Sequence, residues 1–544
     1  MSRQRLIRAP KAWDDLRAEF VWPDMGEFNI AAACIGHWAE TEPERAALIV
    51  PRDEGGSKTY AFGELNRLVD KLAVVFTASG IGVGDRVAVL LGQSVETLLV
   101  HMAAYRIGAI VVPLFTAFGR DGLRYRIADS GARLLVSDAE NLPKVLAIRD
   151  DLPDLEHVFS VDYEATLGGD GAPRDFWAAV TAVRGRPAAV VTGPDTPALL
   201  VYTSGTTGPP KGALHGHRVL MGHLPGVETH HDFLPQDGDC LWTPADWAWM
   251  GGLMNVLLPG LCHGVPVVAH RPAKFEADKA VAMMREIGVR NVFFPPTALK
   301  LLRQLDGPLG LNLRSAASGG EALGAELLEW GRTALGVTIN EFYGSTECNL
   351  VLGNSATVMA PRPGSTGRAV PGSEVAVIDP DTGLERPRGE AGEIAVRRGD
   401  PAMFLGYWNQ PEKTEAKFVG DWMLTGDEGM MDADGFVFFA ARTDDVITSS
   451  GYRIGPFEIE ECLMGHPAVV QAVAVGEPDP DRGEVVKAYV VLRAGDTIAA
   501  LKDELIGRVR KLISAHVAPR DIEAVDEIPL TATGKILRRA LRKG

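Results

Sequence analysis

Helical and strand-like spacings of apolar residues alternate through the first part of the chain. Two helical stretches and three β-branched runs follow one another, at residues 62–77 and 95–106 and at residues 87–91, 110–112 and 134–136. Short strands separated by helices are typical of βαβ units in a parallel sheet. We therefore predict an α/β sheet block from about Thr59 to Val136.

The same alternation returns after a looser stretch at residues 168–185. A helical stretch begins near Arg218. Short apolar runs that are followed by helical sequence lie at residues 199–203, 265–269, 291–294, 314–318 and 338–342. Together these elements predict a second α/β sheet block. Between Gly364 and Arg442 the helical spacing is absent and strand-like runs are joined by turns, which predicts an all-β third block.

The remainder of the chain has a mixed α+β pattern. Two strand-like runs and an amphipathic helical stretch lie at residues 469–475, 485–492 and 501–513. At ~150 residues per domain, the 544 residues allow several domains. We predict an α/β multidomain fold. Its large N-terminal domain, residues 1–441, contains the two α/β sheet blocks and the β-rich block, and its small C-terminal domain, residues 442–544, is α+β.

The charge of the chain excludes a general polyanion binder. Lys and Arg number 55 against 71 Asp and Glu, so the formal net charge is −16, the wrong sign for coating nucleic acid or an anionic membrane. The surplus of acidic residues is unevenly distributed along the chain, because residues 1–441 carry a formal net charge of −15 and residues 442–544 carry −1. No apolar run reaches the ~18–20 residues that cross a bilayer, so we predict no transmembrane segment.

The cysteines and the N-terminal segment indicate the cellular compartment in which the protein is expected. The five cysteines are scattered and form no C-x-x-C pair, which favours a reducing cytoplasm over a disulfide framework or a structural zinc site. Residues 1–10 contain three arginines without the apolar stretch of a secretory signal, and an organellar transit peptide stays open. We therefore predict a cytoplasmic protein.

A glycine-rich string follows the run at residues 199–203. Glycines allow close approach of the backbone to a ligand, while hydroxyl groups and a lysine add donors, which together favour a nest for a phosphate chain. A Walker P-loop is excluded, because Pro210 stands where its second glycine should be. The predicted phosphate-binding residues are Thr203, Ser204, Gly205, Thr206, Thr207, Gly208 and Lys211.

Further motifs follow this string in order over essentially the whole chain. They are Gly319-Gly320-Glu321-Ala322, Tyr343-Gly344-Ser345-Thr346-Glu347, Thr425-Gly426-Asp427, Arg442-Thr443-Asp444-Asp445, Gly451-Tyr452-Arg453 and the segment from Pro529 to Ile536 with Gly534-Lys535. The series resembles the signature of the adenylate-forming superfamily. That superfamily includes acyl-CoA synthetases, luciferase-like ligases and the adenylation domains of peptide synthetases.

The resemblance implies roles for residues of the large domain. Thr346 would contact the α-phosphate of ATP and Glu347 would bind Mg²⁺, for which a carboxylate is a suitable hard ligand. Asp427 would accept hydrogen bonds from the ribose hydroxyls. The remaining nucleotide-binding residues implied are Gly320, Glu321 and Ala322 at the adenine, and Tyr343.

The resemblance also implies a mobile C-terminal domain. Arg442 would contact the ribose, Asp444 would be the pivot of a hinge at residues 442–445, and Gly451 and Arg453 would belong to the thioester half-site. Lys535 would be the adenylation lysine, which we take as catalytic together with Thr346 and Glu347. The glycine that usually precedes the arginine is Ala441 here.

These roles imply an AMP-forming ligase that uses ATP, Mg²⁺ and coenzyme A. A carboxylic acid would attack the α-phosphate and expel pyrophosphate, and a thiol would then displace AMP after the small domain has rotated. The setting of Lys535 also resembles that in which relatives are silenced by acetylation, so a lysine acetyltransferase is an expected partner. The oligomeric state is not predicted.

Two glycines bear on the size of the acid. The sequence from Gly451 to Glu460 most resembles that of the acetyl- and medium-chain acyl-CoA synthetases within the superfamily. Acetate-specific relatives close the acyl pocket with a Trp and a Val, where this chain has Gly344 and Gly319. We therefore expect an acid larger than acetate, either medium-chain, branched or aromatic. Trp249 and Met250 are candidates for the opposite wall.

Two other functions stay open. The chain could deliver its acyl group to a carrier-protein thiol or simply release the adenylate. It could also be a non-catalytic relative that only binds acyl groups and nucleotides, although four residues argue against this: Glu347, Asp427, Arg442 and Lys535. The pairs His215/His217 and His230/His231 have no second cluster at zinc spacing, so we expect solvated or capping histidines.

Overall fold

The structure is a computed structural model of the chain. It describes residues 5–8, 11–52, 55–163, 172–203, 209–270, 272, 274–321, 323–442, 445–449, 452–479, 483–513, 517–530 and 536–542.

Eight strands of the described chain form the first sheet of the large domain. In spatial order they are Gly406–Tyr407, Lys211–Gly216, Pro197–Thr203, Ile110–Pro113, Arg86–Leu90, Leu134–Ser137, His157–Ser160 and Arg174–Asp175. The six strands from Pro197–Thr203 onward are parallel, whereas the first two pair antiparallel. The two antiparallel strands extend the sheet beyond the glycine-rich string.

Nine described strands form the second sheet. In spatial order they are Arg368–Ala369, Asn349–Gly353, Ile339–Ser345, Ser315–Gly319, Asn291–Phe293, Leu241–Trp242, Val267–Val268, Ala46–Pro51 and Ser57–Ala61. The central strands are parallel, and both edges are antiparallel. This sheet carries the strand that leads into the 343–347 motif.

The division of the strands between the two blocks differs from the prediction. Pro197–Thr203 was expected to open the second block, but it pairs with Ile110–Pro113 in the first sheet. Ala46–Pro51 precedes the first block in the chain, yet it pairs with Val267–Val268 in the second sheet. The prediction was wrong for these strands because the spacing of apolar residues identifies βαβ units without specifying which sheet a strand joins.

The main core of the large domain lies between the two sheets. Its buried residues include Leu65, Leu98 and Val89 from the side of the first sheet and Val267 and Phe293 from the second. The helices of the large domain are Trp13–Glu19, His37–Thr41, Phe62–Ala78, Val95–Arg106, Arg120–Ser130, Leu142–Leu146, Phe176–Ala182, Val219–His230, Met250–Gly252, Leu258–Cys262, Ala277–Ile287, Pro296–Leu302, Ala325–Trp330 and Pro411–Glu415. Short 3₁₀ and π segments are Ala32–Gly36, Arg149–Asp151, Leu253–Leu257 and Gly331–Leu335.

A third sheet forms the predicted β-rich block. Its strands are Val375–Ile378, Ala391–Arg397, Trp422–Met431, Phe418–Val419 and Val437–Arg442. The expectation of an all-β segment was wrong in one detail, since the short helix Pro411–Glu415 begins at a proline, a residue suited to the first helical position. The segment therefore remains sheet-dominated.

The C-terminal part is α+β, as predicted. Its strands are Tyr452–Ile454, Ile447–Ser449, Gly483–Leu492, Val469–Asp479 and Asp521–Ala524, and its helices are Pro456–Met464 and Ile498–Leu512, with a 3₁₀ turn at Arg538–Ala540. A separate hydrophobic core joins both helices to the sheet. The described residues contain no helix long and apolar enough to span a membrane. The boundary at residues 441 and 442 stays a prediction.

Candidate active site

Glu347 is held by two hydroxyl groups. Oε1 accepts a hydrogen bond of 2.7 Å from the hydroxyl of Tyr407, and Oε2 accepts one of 3.0 Å from Ser345. The main-chain carbonyl of Glu347 also accepts a hydrogen bond of 2.7 Å from the amide of Phe404. The carboxylate is thereby fixed at the end of the strand Ile339–Ser345.

Strand pairing brings Lys211 close to Tyr407, the residue that holds Glu347. Tyr407 lies opposite Ala213 in the antiparallel pair that adds Gly406–Tyr407 to Lys211–Gly216. The Nζ atom of Lys211 lies 4.6 Å from the centroid of the Tyr407 ring. One tyrosine therefore contacts both the predicted phosphate-binding lysine and the predicted Mg²⁺ ligand.

Electrostatics keep Glu347 ionised. Burial acts to raise the pKa of Glu347, but the charge of Lys417 and the hydrogen bonds from Tyr407 and Ser345 outweigh it, so the pKa lies below its ordinary value. Burial lowers the pKa of Lys211, and the nearby Glu347 opposes that shift. The carboxylate at this position is thus available as an anion.

Two of these residues, Tyr407 and Lys417, did not appear in the sequence prediction. Neither lies within one of the recognised motifs. Lys417 is close to the predicted ribose-binding turn, since its Nζ would lie 4.0 Å from a Cβ added at Gly426. Only the strand pairing and the chain path between Gly406 and Gly426 place them at the site, and no local signal predicts this.

Asp427 forms a second centre with an aromatic and a cationic partner. Its Oδ2 accepts a hydrogen bond of 2.5 Å from the hydroxyl of Tyr343, and its Oδ1 lies 3.1 Å from a guanidinium nitrogen of Arg442. Asp427 and Arg442 face each other in the antiparallel pair of Trp422–Met431 with Val437–Arg442. Burial and the Asp427 charge raise the pKa of Tyr343 well above its ordinary value, so its hydroxyl remains a donor.

The two centres are neighbours. Tyr343 and Glu347 are separated by only four positions at the end of one strand. The Arg442 charge influences the pKa values of both Lys211 and Tyr407. The structure thus gathers five sequence-predicted residues, Lys211, Tyr343, Glu347, Asp427 and Arg442, around one site.

The predicted adenine segment begins at the end of the neighbouring strand. Gly319 ends the strand Ser315–Gly319, which pairs in parallel with Ile339–Ser345. Gly320 has a φ of +93°, a conformation that favours glycine, and it turns the chain away from the sheet. Glu321 follows and is half-buried. Gly319 therefore lies beside the strand that carries Tyr343.

Thr203 and Thr346 mark the ends of the two sheets. The hydroxyl of Thr203 donates a hydrogen bond of 3.3 Å to the carbonyl of Lys211, so the two ends of the glycine-rich string are paired. Thr346 is half-buried between Ser345 and Glu347. The string is therefore closed at its base, directly beside Tyr407 and Glu347.

Several predicted site residues lie outside the described residues. They are Ser204, Gly205, Thr206, Thr207, Gly208, Ala322, Asp444, Gly451 and Lys535, together with the side chain of Arg453. Their roles stay predictions from the resemblance.

The predicted acyl-pocket glycines are closely surrounded. A Cβ at Gly344 would collide with the main-chain carbonyl of Asn349, which gives this glycine a role in backbone packing. A Cβ at Gly319 would lie 2.6 Å from the ring of Phe342. Neither glycine faces open space, and their part in the acyl pocket stays a prediction.

The opposite wall divides into core and partly exposed residues. Trp242 and Trp247 are fully buried in the core, whereas Trp249 and Met250 remain partly exposed. The ring centroid of Trp249 lies 5.8 Å from that of Phe115. Trp249 and Met250 therefore keep exposed surface that is accessible to a ligand.

The expectation of solvated histidines was wrong, whereas that of a capping histidine is confirmed for His217, whose Nδ1 accepts a hydrogen bond of 3.1 Å from the amide of Ile30 at the start of a helical segment. His215, His217, His230 and His231 are all fully buried. Burial lowers the pKa values of all four, to about 4 for His215 and His217, so they pack as neutral rings. His231 is hydrogen bonded to Ser315 at 2.8 Å. Within the described ranges no group of three or more His, Cys, Asp or Glu side chains is arranged for a metal ion.

Family models match most of the chain. The model described as AMP-binding enzyme matches residues 35–408, and the model described as AMP-binding enzyme C-terminal domain matches residues 458–535. The chain is 33% identical to the acetyl-coenzyme A synthetase of Bacillus subtilis, over 97% of this chain and 93% of the relative. It is 34% identical to the mitochondrial acyl-coenzyme A synthetase ACSM4 of Rattus norvegicus, over 99% of this chain and 95% of that protein.

The fold is also similar to solved structures. The crystal structure of the anthranilate CoA ligase AuaEII in complex with anthranoyl-AMP matches with a TM-score of 0.85 and 27% identity, over 95% of this chain and 96% of that chain. The matched family models together span most of the motifs that carry the resemblance. The chain therefore belongs to the AMP-binding enzyme family, among the acyl-CoA synthetases of the adenylate-forming superfamily.

Proposed function

We propose that this chain joins a carboxylic acid larger than acetate to coenzyme A, with ATP converted to AMP and pyrophosphate. The acid would be medium-chain, branched or aromatic. One observation carries the use of ATP: Glu347 and Lys211, which both contact Tyr407, lie beside the pair Asp427–Arg442. A carboxylate, a lysine and a carboxylate–guanidinium pair at one site suit a nucleoside triphosphate bound with a divalent cation.

The first step is formation of an acyl adenylate. A carboxylate oxygen of the acid attacks the α-phosphorus of ATP, the bond from that phosphorus to the bridging oxygen breaks, and pyrophosphate leaves. Phosphoryl chemistry of this kind depends on positioning and on charge stabilisation. The phosphates would be held by Lys211, Thr346, Lys535 and the string at residues 203–208, and the ribose by Asp427 and Arg442.

Glu347 suits a magnesium ion bound to the triphosphate. Its carboxylate is ionised, because hydroxyl donors and the Lys417 charge lower its pKa. One carboxylate together with phosphate oxygens is a common magnesium environment, since Mg²⁺ binds through few protein ligands. When bound, Mg²⁺ would neutralise charge on the phosphates. Tyr407 and Ser345 would keep the carboxylate oriented toward it.

The second step is transfer to coenzyme A. The CoA thiol loses its proton to solvent, its sulfur attacks the acyl carbonyl carbon, and AMP leaves. We assign the thiol half-site to Gly451 and Arg453, and the hinge to Asp444 within residues 442–445. The small domain, residues 442–544, would rotate between the steps so that Lys535 leaves and Gly451 arrives.

We also propose where the protein acts and how it is controlled. The scattered cysteines favour the cytoplasm. A lysine acetyltransferase would inactivate the first step by removing the charge of Lys535.

A pyrophosphate-exchange screen tests the proposed function. We would measure acid-dependent exchange of pyrophosphate into ATP with straight-chain acids from C2 to C12 and with branched and aromatic acids. In a second assay we would measure AMP formation with and without CoA. We expect exchange with acids larger than acetate, saturable dependence of AMP formation on CoA, and loss of exchange in Glu347→Gln. Absence of exchange with every acid would refute the proposal, and CoA-independent AMP formation would refute coenzyme A as acceptor.

A further inference from the structure

The ring of Phe342 occupies the space next to Gly319. The two residues face each other in the parallel pair of Ser315–Gly319 with Ile339–Ser345. A Cβ added at Gly319 would lie 2.6 Å from one ring carbon of Phe342 and 2.8 Å from two others. The room that the glycine leaves is therefore filled by a side chain from the adjacent strand.

Aromatic neighbours hold this ring in place. Phe342 is stacked on His230, with ring centroids 4.8 Å apart and an interplanar angle of 19°, and its centroid lies 5.4 Å from that of Phe293. Phe342 is only 8% exposed. Aromatic pairs at such distances add stability beyond the burial of their area. The ring thus has a fixed position within a packed cluster.

The same cluster reaches the opposite wall of the predicted acyl pocket. A Cβ added at Gly251 would lie 3.1 Å from the ring of Phe293. Gly251 directly follows Trp249 and Met250, the partly exposed residues of that wall. Phe342 and Phe293 therefore bridge the two walls, from Gly319 on one side to Gly251 on the other.

We propose that Phe342 closes the inner end of the acyl pocket and restricts the enzyme to compact acids, with a short branched chain or a single aromatic ring. This inference rests on the proposed function. A straight chain of medium length would have to enter the volume that the Phe342 ring fills. Hydrophobic pockets discriminate by about 10- to 200-fold per methylene, so a filled volume of six ring carbons has a large effect.

The proposal predicts a change in chain-length preference when the ring is removed. In the full-length protein we would compare wild type with Phe342→Ala and the milder Phe342→Leu, and measure kcat/KM for CoA-thioester formation with straight-chain acids from C4 to C10 and with benzoate. We expect wild-type kcat/KM to fall steeply toward C10. In Phe342→Ala, kcat/KM for C8 to C10 should rise at least tenfold, with a smaller rise in Phe342→Leu.

Phe294 provides a matched control. It is the next residue after Phe293 and is fully buried, but it belongs to the core cluster on the other side of the second sheet, where it contacts Trp242. Phe294→Leu removes the same atoms as Phe342→Leu from a place that does not border the pocket. We expect it to lower thermal stability without changing the order of preference among the acids.

The outcomes separate this proposal from the proposed function. If wild type forms thioesters but the Phe342 variants keep its chain-length profile, the role of Phe342 is refuted and the ligase function stands. A wild type that prefers C8 to C10 over compact acids also refutes it. If wild type forms no acyl adenylate with any acid, the ligase function itself fails. A profile shifted equally by Phe294→Leu would show a general packing effect and would overturn the assignment.

Discussion

The hydroxyl of Tyr407 donates a hydrogen bond of 2.7 Å to Oε1 of Glu347, although the two residues are sixty positions apart in the chain. The bond exists because the strand Gly406–Tyr407 joins the first sheet beside Lys211–Gly216, while Glu347 follows a strand of the second sheet. One contact therefore links the two sheets at the proposed phosphate site. It also helps to lower the pKa of Glu347.

Replacing Tyr407 by Phe should impair the adenylation step and change its pH dependence. Loss of a hydrogen bond to a charged group costs about 1.5–3 kcal/mol, so kcat/KM for ATP should fall roughly tenfold or more. The pKa of Glu347 should rise when this donor is lost, and the acidic limb of the rate profile should move to higher pH. Pyrophosphate exchange measured between pH 5 and 9 checks both effects.

Tyr60→Phe is a suitable control for this variant, because Tyr60 lies on the edge strand Ser57–Ala61, far along the second sheet from Glu347. It should leave the pH profile unchanged. An unchanged acidic limb in Tyr407→Phe would contradict the role of this hydroxyl.

Asp427→Asn should weaken ATP binding more than acid binding. Asn keeps the shape of Asp, but it removes the charge that pairs with Arg442 and one of the two acceptor oxygens. We expect KM for ATP to increase by roughly tenfold, with KM for the acid nearly unchanged. Asp432→Asn is the control, since Asp432 pairs with Arg362 at a turn of the same sheet. Equal changes in both KM values would contradict a ribose role.

The sequence predicted regular elements best where local signals coincide. The helix Val95–Arg106 has the predicted bounds, and the Oγ of Ser94 accepts a hydrogen bond of 3.2 Å from the amide of Thr97, the capping that the residue type favours. The two-residue strands Leu241–Trp242 and Gly406–Tyr407 have no such signal. They exist because partners from elsewhere in the chain pair with them.

The candidate site shows the same contrast between residues that a local sequence motif identifies and residues that only the tertiary structure brings in. Glu347 and Asp427 were identified because they belong to recognisable motifs, and the structure gives both of them polar partners. Tyr407 and Lys417 reach the site through tertiary structure alone. The absence of a side chain at Gly319 suggested an open pocket, but the Phe342 ring lies against it. Sequence reveals which side chain is missing at a position, whereas packing determines what takes its place.

Lys535→Ala should separate the two half-reactions. The lysine is expected to stabilise charge during adenylate formation only, so acid-dependent pyrophosphate exchange should be abolished. Thioester formation from synthetic acyl adenylate and CoA should persist near the wild-type rate. Exchange at the wild-type level would refute the assignment of Lys535.

Acetylation of Lys535 should have the same effect as the alanine substitution, because it removes the positive charge. The test is exchange activity of stoichiometrically acetylated protein before and after enzymatic deacetylation. Lys300, on the helix Pro296–Leu302, offers a control site for acetylation. Full activity of the protein acetylated at Lys535 would contradict the proposed control.

Gly319→Ala should destabilise the protein through Phe342. The new Cβ would lie 2.6 Å from the ring, and overpacking of this kind costs about 1–3 kcal/mol. In combination with Phe342→Ala the added methyl group should cost much less, because the colliding ring is gone. Thermal unfolding of the two single variants and the double variant measures this coupling. Additive losses would show that Gly319 is constrained by something other than Phe342.

Glu341 should make the stability of the protein depend on pH. It is only 4% exposed and accepts a hydrogen bond of 3.2 Å from the amide of Leu323, and burial raises its pKa to about 8. Between the ordinary carboxyl pKa and about pH 8 the folded state holds a proton that the unfolded state has lost. Stability should therefore fall as pH rises through this window, by at most about 1.4 kcal/mol per pH unit from this group.

Glu341→Gln tests this dependence, because Gln keeps an acceptor oxygen but cannot ionise. Since other groups titrate equally in both proteins, the informative quantity is the difference in unfolding midpoint between wild type and variant from pH 5.5 to 8.5. We expect the variant to gain stability relative to wild type as pH rises. The exposed Glu385→Gln should give a difference that does not vary with pH. A constant difference for Glu341→Gln as well would mean that Glu341 is already ionised in the folded protein.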